Sequence, residues 1–161
     1  MATKVVKMSM NMIIKAGTAG PSPPVGPKIG AMGLNIVSFC KEFNARTENM
    51  LEGVPIRTRI IVFEDKSYDL SIYTPPTSYF VLRMAGVPLG SHTGTKENVG
   101  EITVKAVYEI AKIKQADEGL KHAPLQSVCR AVIATARSCG VLVVRQPTQT
   151  LYPEPRSWPQ L

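Results

Sequence analysis

The chain has 161 residues, of which 44% are hydrophobic and 19% are charged, a composition that supports a packed core and excludes global disorder. Nineteen Lys and Arg against twelve Asp and Glu give a net charge of +7, which is compatible with a polyanionic partner such as nucleic acid. The longest apolar runs, such as IIVF and VLVV, have four residues, far fewer than the roughly 20 of a membrane-spanning helix.

The N-terminal segment predicts a strand followed by an irregular loop. From Val6 to Ile14 the even positions are apolar and alternate with the polar Lys7, Ser9 and Asn11, which is the period of a half-buried strand. Residues 17–33 then hold five of the twelve glycines and four of the thirteen prolines. Glycine widens the accessible dihedrals whereas proline fixes φ and removes a donor, so this density predicts a shaped loop with neither helix nor strand.

A helix and two strands follow the loop. Apolar residues recur at helical spacing behind Asn35, a candidate N-cap; they are Ile36, Phe39, Cys40 and Phe43. The runs RTRIIVFED and SYDLSIYT are β-rich and are separated by the turn-forming residues 65–67. The order of this half is therefore predicted to be β-loop-α-β-β.

A boundary is expected at the prolines of TPPTS, residues 74–78, because they hold the chain extended before a new helical pattern. We predict helices over 77–85, 103–114 and 124–139, a long loop over 86–98, and a short final strand in VLVVR. The overall prediction is an α+β fold with two small domains, 1–73 and 74–145, the second mainly helical. The remaining residues 146–161 include four prolines and are expected to form an extended or disordered tail.

Catalytic and metal-binding patterns are not evident. The three cysteines, Cys40, Cys129 and Cys139, form no C-x-x-C pair, which argues against a disulfide framework or a zinc site. Pro27 stands where a phosphate-binding P-loop needs lysine, and His92 and His122 lack a clustered carboxylate or thiol. We therefore predict no enzymatic activity, no cofactor and no metal.

The last predicted helix has two distinct faces at 100° per residue. One sector is apolar and contains Leu125, Val128, Cys129, Val132, Ile133 and Ala136. The opposite sector carries only small residues, flanked by Arg130 and Arg137; they are Ser127, Ala131, Ala134 and Ser138. A solvated face usually carries long polar side chains, so this bare face is suited either to a shallow RNA minor groove or to packing on another domain.

Two further segments are candidates for binding. The loop GVPLGSHTGTK has glycines at 86, 90 and 94, hydroxyl side chains and a terminal Lys96, a composition that can order on phosphates or serve as an exposed linker. The proline segment contains P-x-x-P twice, in PSPP and PVGP, which could dock an aromatic groove or present a stiff preorganised surface.

Residues 15–47, KAGTAGPSPPVGPKIGAMGLNIVSFCKEFNART, resemble the signature of the large-subunit ribosomal protein eleven (L-eleven) family. TPPTSYFVLRMAG, VGEITVKAVYEIAKIK and ATARSCGVLVV resemble its three C-terminal motifs in the same order. The resemblance covers about residues 3–145. Three phrases, CKEFNART, EGVPI and VYEIAKIK, are most similar to mitochondrial members, which implies the mitochondrial matrix, with a bacterial or plastid ribosome as the alternative.

The resemblance implies a structural protein at the base of the ribosomal stalk, in the GTPase-associated centre, that binds large-subunit rRNA and neither DNA nor membrane. Implied further partners are stalk ribosomal proteins and, transiently, elongation, initiation and release factor GTPases. The implied rRNA-binding residues are Thr74, Pro75, Pro76, Thr77, Arg83, Gly86, Gly90, Ser91, Gly94, Lys96, Arg130, Ala134, Thr135, Arg137 and Ser138. The implied factor- or antibiotic-facing residues are Pro21, Pro23, Pro24, Gly26, Pro27 and Lys28.

The chain departs from the family pattern at several of these positions. Leu82 and Arg83 replace a usual lysine pair, Ala134 and Cys139 stand where glycine and methionine are usual, and Lys28 replaces a small apolar residue. A different class of function also stays open, namely a protein-interaction module that presents the proline segment as a ligand and carries its basic charge incidentally.

Overall fold

The computed structural model describes residues 5–23 and 25–145. The chain divides into two compact units, the first ending at Pro75 and the second beginning at Pro76. The predicted α+β class with two domains is confirmed. The predicted tail, residues 146–161, lies outside the described residues.

The first unit contains a three-stranded antiparallel sheet in the order β1-β2-β3. The strands are β1 (Val6–Lys15), β2 (Pro55–Phe63) and β3 (Tyr68–Ile72), as the alternation predicts. Met12 pairs with Thr58, and Ile60 pairs with Leu70. Because side chains alternate across a strand, these residues share one face, which we call the inner sheet face. All four are buried.

Helix α2 (Ile36–Arg46) supplies the aromatic side chains that cover this inner face. Asn35 caps it as predicted, because its Oδ1 accepts hydrogen bonds from the backbone N–H groups of residues 37 and 38 at 3.0 and 3.3 Å. Phe39 and Phe43 are fully buried, and the Phe39 ring centroid lies 6.0 Å from that of Tyr68 on β3. The helix and sheet therefore share one apolar core.

A short polar network at the edge of this core ties α2 to β3. The Tyr68 hydroxyl donates to Glu42, which also forms an ion pair with Arg46 at 2.6 Å. Arg46 in turn donates to the carbonyl of Leu70 at 2.8 Å. Burial, followed by the hydrogen bond to Glu42, raises the pKa of Tyr68 to about 12, so its hydroxyl remains a donor at neutral pH.

The glycine- and proline-rich segment contains a helix, which corrects the prediction of a loop throughout. Helix α1 spans Val25–Ala31, so the element order is β-α-α-β-β. The prediction took the density of glycine and proline in this segment to exclude a helix. However, Pro27 is the third residue of α1, within the first turn, where backbone N–H groups have no helical partner and proline is tolerated.

The second unit consists of three helices around a two-stranded parallel sheet. The elements are α3 (Thr77–Met84), a 3₁₀ turn (Gly94–Lys96), β4 (Gly100–Thr103), α4 (Val104–Gln115), α5 (Leu125–Ser138) and β5 (Val141–Val144). The helices lie close to their predicted bounds. Strand β4, which pairs with β5, was not predicted, because four residues are too few to establish a periodicity. The buried core draws on all three helices and both strands.

We predict that Thr58→Val raises the free energy of unfolding by about 1 kcal/mol. Thr58 is 1% exposed, and its Oγ1 has no hydrogen-bond partner among the described residues, so the substitution replaces an unpaired hydroxyl with a methyl group of the same shape. Urea denaturation of the full chain measures the change.

Thr47→Val is the matched control for this substitution. Thr47 is also fully buried, but its hydroxyl donates to the carbonyl of Phe43 at 2.9 Å and accepts from the N–H of Gly17 at 3.2 Å. We expect this variant to lose about 1 kcal/mol or more. Equal effects of the two substitutions on the free energy of unfolding would contradict the conclusion that the Thr58 hydroxyl is unpaired and the Thr47 hydroxyl is paired.

Candidate RNA interface

Helix α5 presents the predicted bare face to solvent. Val128, Val132 and Ala136 are buried, and the four small residues of the opposite sector, Ser127, Ala131, Ala134 and Ser138, are exposed. We call these four residues the small-residue face. Ile133, which the helical wheel places in the apolar sector, is 39% exposed. It lies at the margin of that sector, on the side of the helix that carries the arginines.

Hydroxyl groups beside this face have their protons directed back into the helix. Thr135 Oγ1 donates to the carbonyl of Ala131 at 2.9 Å, and Ser138 Oγ donates to the carbonyl of Thr135 at 2.8 Å. Each hydroxyl oxygen is then left as an acceptor. Acceptors of this kind on a shallow surface are suited to ribose 2′-hydroxyl donors.

Arg130 and Arg137 lie along one margin of the small-residue face, seven residues and therefore two turns apart. Both are exposed, and neither forms an ion pair with another residue that the structure describes. Their guanidinium groups are thus available to phosphate oxygens, for which arginine has a matching fork geometry.

The glycine-rich loop is held against the C-terminal end of α5. The N–H of Ser91 donates to the carbonyl of Cys139 at 2.9 Å, and the N–H of Val99 donates to the carbonyl of Gly140 at 2.8 Å. Gly94 has a positive φ of 62°, and a Cβ built there would lie 3.6 Å from the carbonyl of Ser138. The fold therefore brings Ser91, Gly94 and Ser138, three predicted RNA-binding residues, into one region.

Gly140 makes this close approach possible. It adopts φ 76° directly after the helix end, a left-handed conformation that favours glycine. A Cβ at this position would lie 2.5 Å from the carbonyl oxygen of Glu97 and 2.6 Å from the Cβ of Ser91. Gly140 therefore both ends α5 and provides the contact point for the loop.

The remaining predicted residues near the loop differ in their surroundings. Lys96 is exposed at the end of the 3₁₀ turn. Gly86, with φ 67°, ends α3, and a Cβ on Gly90 would lie 3.0 Å from the carbonyl of Cys139. Arg83 is exposed, but it donates to the hydroxyl of Tyr79 on its own helix at 2.7 Å. Its charge is therefore partly engaged within α3.

A cavity of about 150 Å³ adjoins the small-residue face. Its lining residues come from α3, α4, α5 and the turn before α5; they are Thr77, Lys114, Leu120, Ala123, Ser127, Val128, Ala131, Val132 and Thr135. Lys114 forms an ion pair with Asp117 at 2.7 Å, and their side chains are only 5% and 9% exposed. This buried pair was not predicted, because the sequence signals it only through the i, i+3 spacing of opposite charges.

The predicted T-P-P segment spans the end of the first unit and the start of the second. Pro76 occupies the N-cap position of α3 without a side-chain hydrogen bond, and Thr77 is the first helical residue. Thr74 and Pro75 belong to the first unit. All four residues are half-buried.

The proline segment is anchored in the first unit by polar side chains of α2 and its C-cap. Asn44 accepts from the N–H of Ala19 at 3.0 Å and donates to the carbonyl of the same residue at 3.1 Å. Beyond this anchor, the predicted factor-facing residues Pro21, Pro23, Pro27 and Lys28 are exposed. Pro24 lies outside the described residues.

Gly26 allows a close backbone approach at the start of α1. It is buried, and a Cβ built on it would lie 2.0 Å from the carbonyl oxygen of Pro21. The carbonyl of Pro21 thus packs closely against the first turn of α1, and only glycine permits that approach.

The described part of the chain contains no group of three or more His, Cys, Asp or Glu residues that could hold a metal ion. None of its helices has the length and apolar character needed to cross a membrane.

Comparisons with known proteins assign a family to both units. Residues 10–68 match the family described as "Ribosomal protein L11, N-terminal domain", and residues 73–143 match "Ribosomal protein L11, RNA binding domain". The two units therefore define a two-domain ribosomal protein with an RNA-binding domain. The chain belongs to the ribosomal protein L11 family, which confirms the resemblance and the prediction that it is not an enzyme.

Several relatives carry the name "Large ribosomal subunit protein uL11m". The protein from Caenorhabditis elegans is 48% identical over 128 residues, which cover 80% of this chain but only 65% of the relative. The Drosophila melanogaster protein is 44% identical over 152 residues, covering 94% of this chain and 76% of its own length. The Schizosaccharomyces pombe protein is 41% identical over 135 residues, covering 84% of this chain and 94% of its own length.

We predict that Gly140→Ala destabilises the chain by about 2 kcal/mol or more, because it combines a left-handed side chain with overlap against Glu97 and Ser91. Gly119→Ala is the control, since its Cβ would meet nothing within 4 Å; we expect a change of no more than about 0.5 kcal/mol. Urea denaturation distinguishes the two, and a Gly140→Ala variant as stable as the control would contradict the docked loop.

Proposed function

We propose that this chain is a structural protein of the large subunit of the mitochondrial ribosome and binds a compact fold of large-subunit rRNA through α5 and the docked loop. The observation that carries the proposal is the small-residue face with arginines along its margin. The names of the relatives support the ribosomal and mitochondrial assignment.

The geometry of an RNA helix explains why such a face suits this role. The minor groove of A-form RNA is wide and shallow and displays 2′-hydroxyls, so a protein helix can approach it closely only where its own side chains are short. Ala131 and Ala134 permit that approach, and the oxygen of Ser138 can accept from a ribose hydroxyl. Arg130 and Arg137 would then reach the flanking phosphates.

The first unit is proposed to serve the translational GTPases. Its proline segment is exposed, anchored through Asn44 and folded tightly at Gly26, so it loses little conformational entropy when a partner binds. We assign Pro21, Pro23, Pro27 and Lys28 to this contact and place the protein at the stalk base, in the GTPase-associated centre. Factor binding would be transmitted by movement of this domain.

The alternative of a polyproline ligand is disfavoured by helix α1. The second P-x-x-P match, residues 24–27, overlaps a helix that begins at Val25. A residue in a helix does not have the extended backbone of a polyproline helix, which aromatic grooves recognise. The second P-x-x-P match therefore does not offer the extended backbone that an aromatic groove recognises.

We predict that the full chain binds the GTPase-centre rRNA segment with a steep salt dependence and that Arg137→Ala, Ser138→Glu weakens binding at least tenfold. The double change removes a phosphate contact and adds to the small-residue face a carboxylate that the RNA phosphates repel. Fluorescence anisotropy across a salt series measures both the affinity and the slope.

The control is Lys41→Ala, Asn49→Glu, which makes the same change in net charge at exposed positions of the first unit. It should retain the affinity within about twofold if the effect is local to α5. Equal losses in the two variants would reduce the interaction to general electrostatic attraction and remove the support for an α5 site.

We predict that Pro21→Gly, Pro23→Gly lowers ribosome-dependent GTP hydrolysis by an elongation factor while leaving rRNA affinity unchanged. Glycine restores backbone freedom that the prolines remove, so ordering this surface would cost about 1 kcal/mol or more, equivalent to several-fold in factor affinity. The measurement compares hydrolysis rates on ribosomes reconstituted with each protein, with anisotropy on isolated rRNA as the control. Unchanged hydrolysis would remove the assignment of this segment to factors.

A further inference from the structure

The three-stranded sheet of the first unit has a second face, which the helices α1 and α2 do not cover. Register places Asn11 opposite Arg59 and Ile13 opposite Arg57, and Arg59 lies opposite Ser71 on β3. Because their neighbours in sequence are buried on the inner face, these side chains point to the other side. We call this surface the outer sheet face. Arg57, Arg59 and Asn11 are exposed, and Ile13 is 54% exposed.

The outer sheet face is basic. Arg57 and Arg59 stand two residues apart on the central strand, and Lys15 ends the neighbouring strand on the same side, against one carboxylate, Asp69, on β3. Neither arginine forms an ion pair with any residue in the described ranges. Within the described part of the chain, the side chains of these two arginines make one hydrogen bond, from Arg59 Nε to Ser9 Oγ at 3.4 Å. Two guanidinium groups are thus left to an external anion.

An aromatic ring lies beside the first of these arginines. The N–H of Tyr73 donates to the carbonyl of Arg57 at 2.9 Å, which extends the β3 pairing by one residue and places Tyr73 next to Arg57 on the outer sheet face. A depression of about 270 Å³ opens there; its lining residues are Asn11, Met12, Ile13, Arg57, Thr58 and Tyr73. Its exposed walls therefore combine a phenol ring, a guanidinium plane, an amide and an aliphatic side chain.

We propose that the outer sheet face is a second RNA-binding surface, which takes an unpaired RNA segment by stacking one base in the depression beside Tyr73 and Arg57. Phosphates on either side of that base are bound by Arg59 and Lys15. Asn11 supplies both a donor and an acceptor to the base edge. The inference extends the proposed ribosomal function to a different unit of the chain and does not use α5.

The chemistry favours RNA over an acidic polypeptide as the occupant. A carboxylate-rich peptide would be satisfied by the arginines alone and has no use for an aromatic ring with an adjacent amide. Single-stranded RNA is recognised by stacking of splayed bases on aromatic rings and guanidinium planes combined with backbone neutralisation. All of these side chains lie together on the outer sheet face.

Anisotropy of a fluorescein-labelled oligouridylate with the full chain tests the proposal. Tyr73→Leu should weaken binding about tenfold through the lost stacking, and Tyr73→Phe should retain it. Arg57→Gln, Arg59→Gln should lower the log–log salt slope by about 0.7, for the one phosphate that Arg59 releases. The control Lys41→Gln, Lys121→Gln removes two exposed charges elsewhere and should leave the affinity within about twofold.

The α5 variant Arg137→Ala, Ser138→Glu separates this inference from the proposed function. Oligouridylate binding should persist in that variant, and it should persist even if the chain fails to bind the GTPase-centre rRNA. Loss of oligouridylate binding in the α5 variant, or its retention in the double arginine variant, would overturn the proposal. A further result would also overturn the proposal: Tyr73→Leu binds oligouridylate as well as the unmodified chain does, and poly-glutamate competes as well as RNA. The outer sheet face would then be a site for acidic protein.

Discussion

The contact between the glycine-rich loop and the end of α5 determines the arrangement of the second unit. Gly140 ends the helix in a left-handed conformation, directs the chain into β5, and leaves room for Glu97 and Ser91 where a side chain would otherwise stand. The same turn also aligns β5 beside β4 in a parallel pair. Without this approach the loop would lose its two backbone hydrogen bonds to residues 139 and 140, and the hydroxyls of Ser91 and Ser138 would no longer belong to one surface.

In the first unit, side chains at the end of a helix fix the position of an irregular segment, as Gly140 does in the second unit. An irregular segment has no ladder to satisfy its backbone groups, so these must find other partners. Asn44 pairs with both backbone groups of Ala19, and Thr47 accepts from the N–H of Gly17. The proline segment is thus fixed at its base by α2, a helix that is itself fixed to the inner sheet face through Phe39 and Phe43. In both units a candidate binding segment depends on a helix end for its position.

Sequence patterns predicted those parts of the structure that periodicity governs. The alternation from Val6 to Ile14 and the helical spacing behind Asn35 gave the correct elements, and the small-residue face of α5 followed from one helical wheel. Other features escaped prediction, each for a physical reason. Helix α1 was missed because the density of glycine and proline was taken to exclude a helix, although proline is tolerated in a first turn. Strand β4 was missed because four residues are too few to establish a periodicity.

Long-range placement explains why the outer sheet face gave no signal in the sequence. Arg57, Tyr73 and Asn11 are far apart along the chain, and each separately is an unremarkable polar or aromatic residue of a strand. Only the antiparallel register sets Arg57 between Ile13 and Tyr73, and a shift of one residue would turn the arginines toward the buried side. The apolar inner face excludes that shift, because it would bury two charges among Met12, Phe39 and Leu70. The packing of the core therefore specifies the composition of the opposite surface, although no core residue is exposed there.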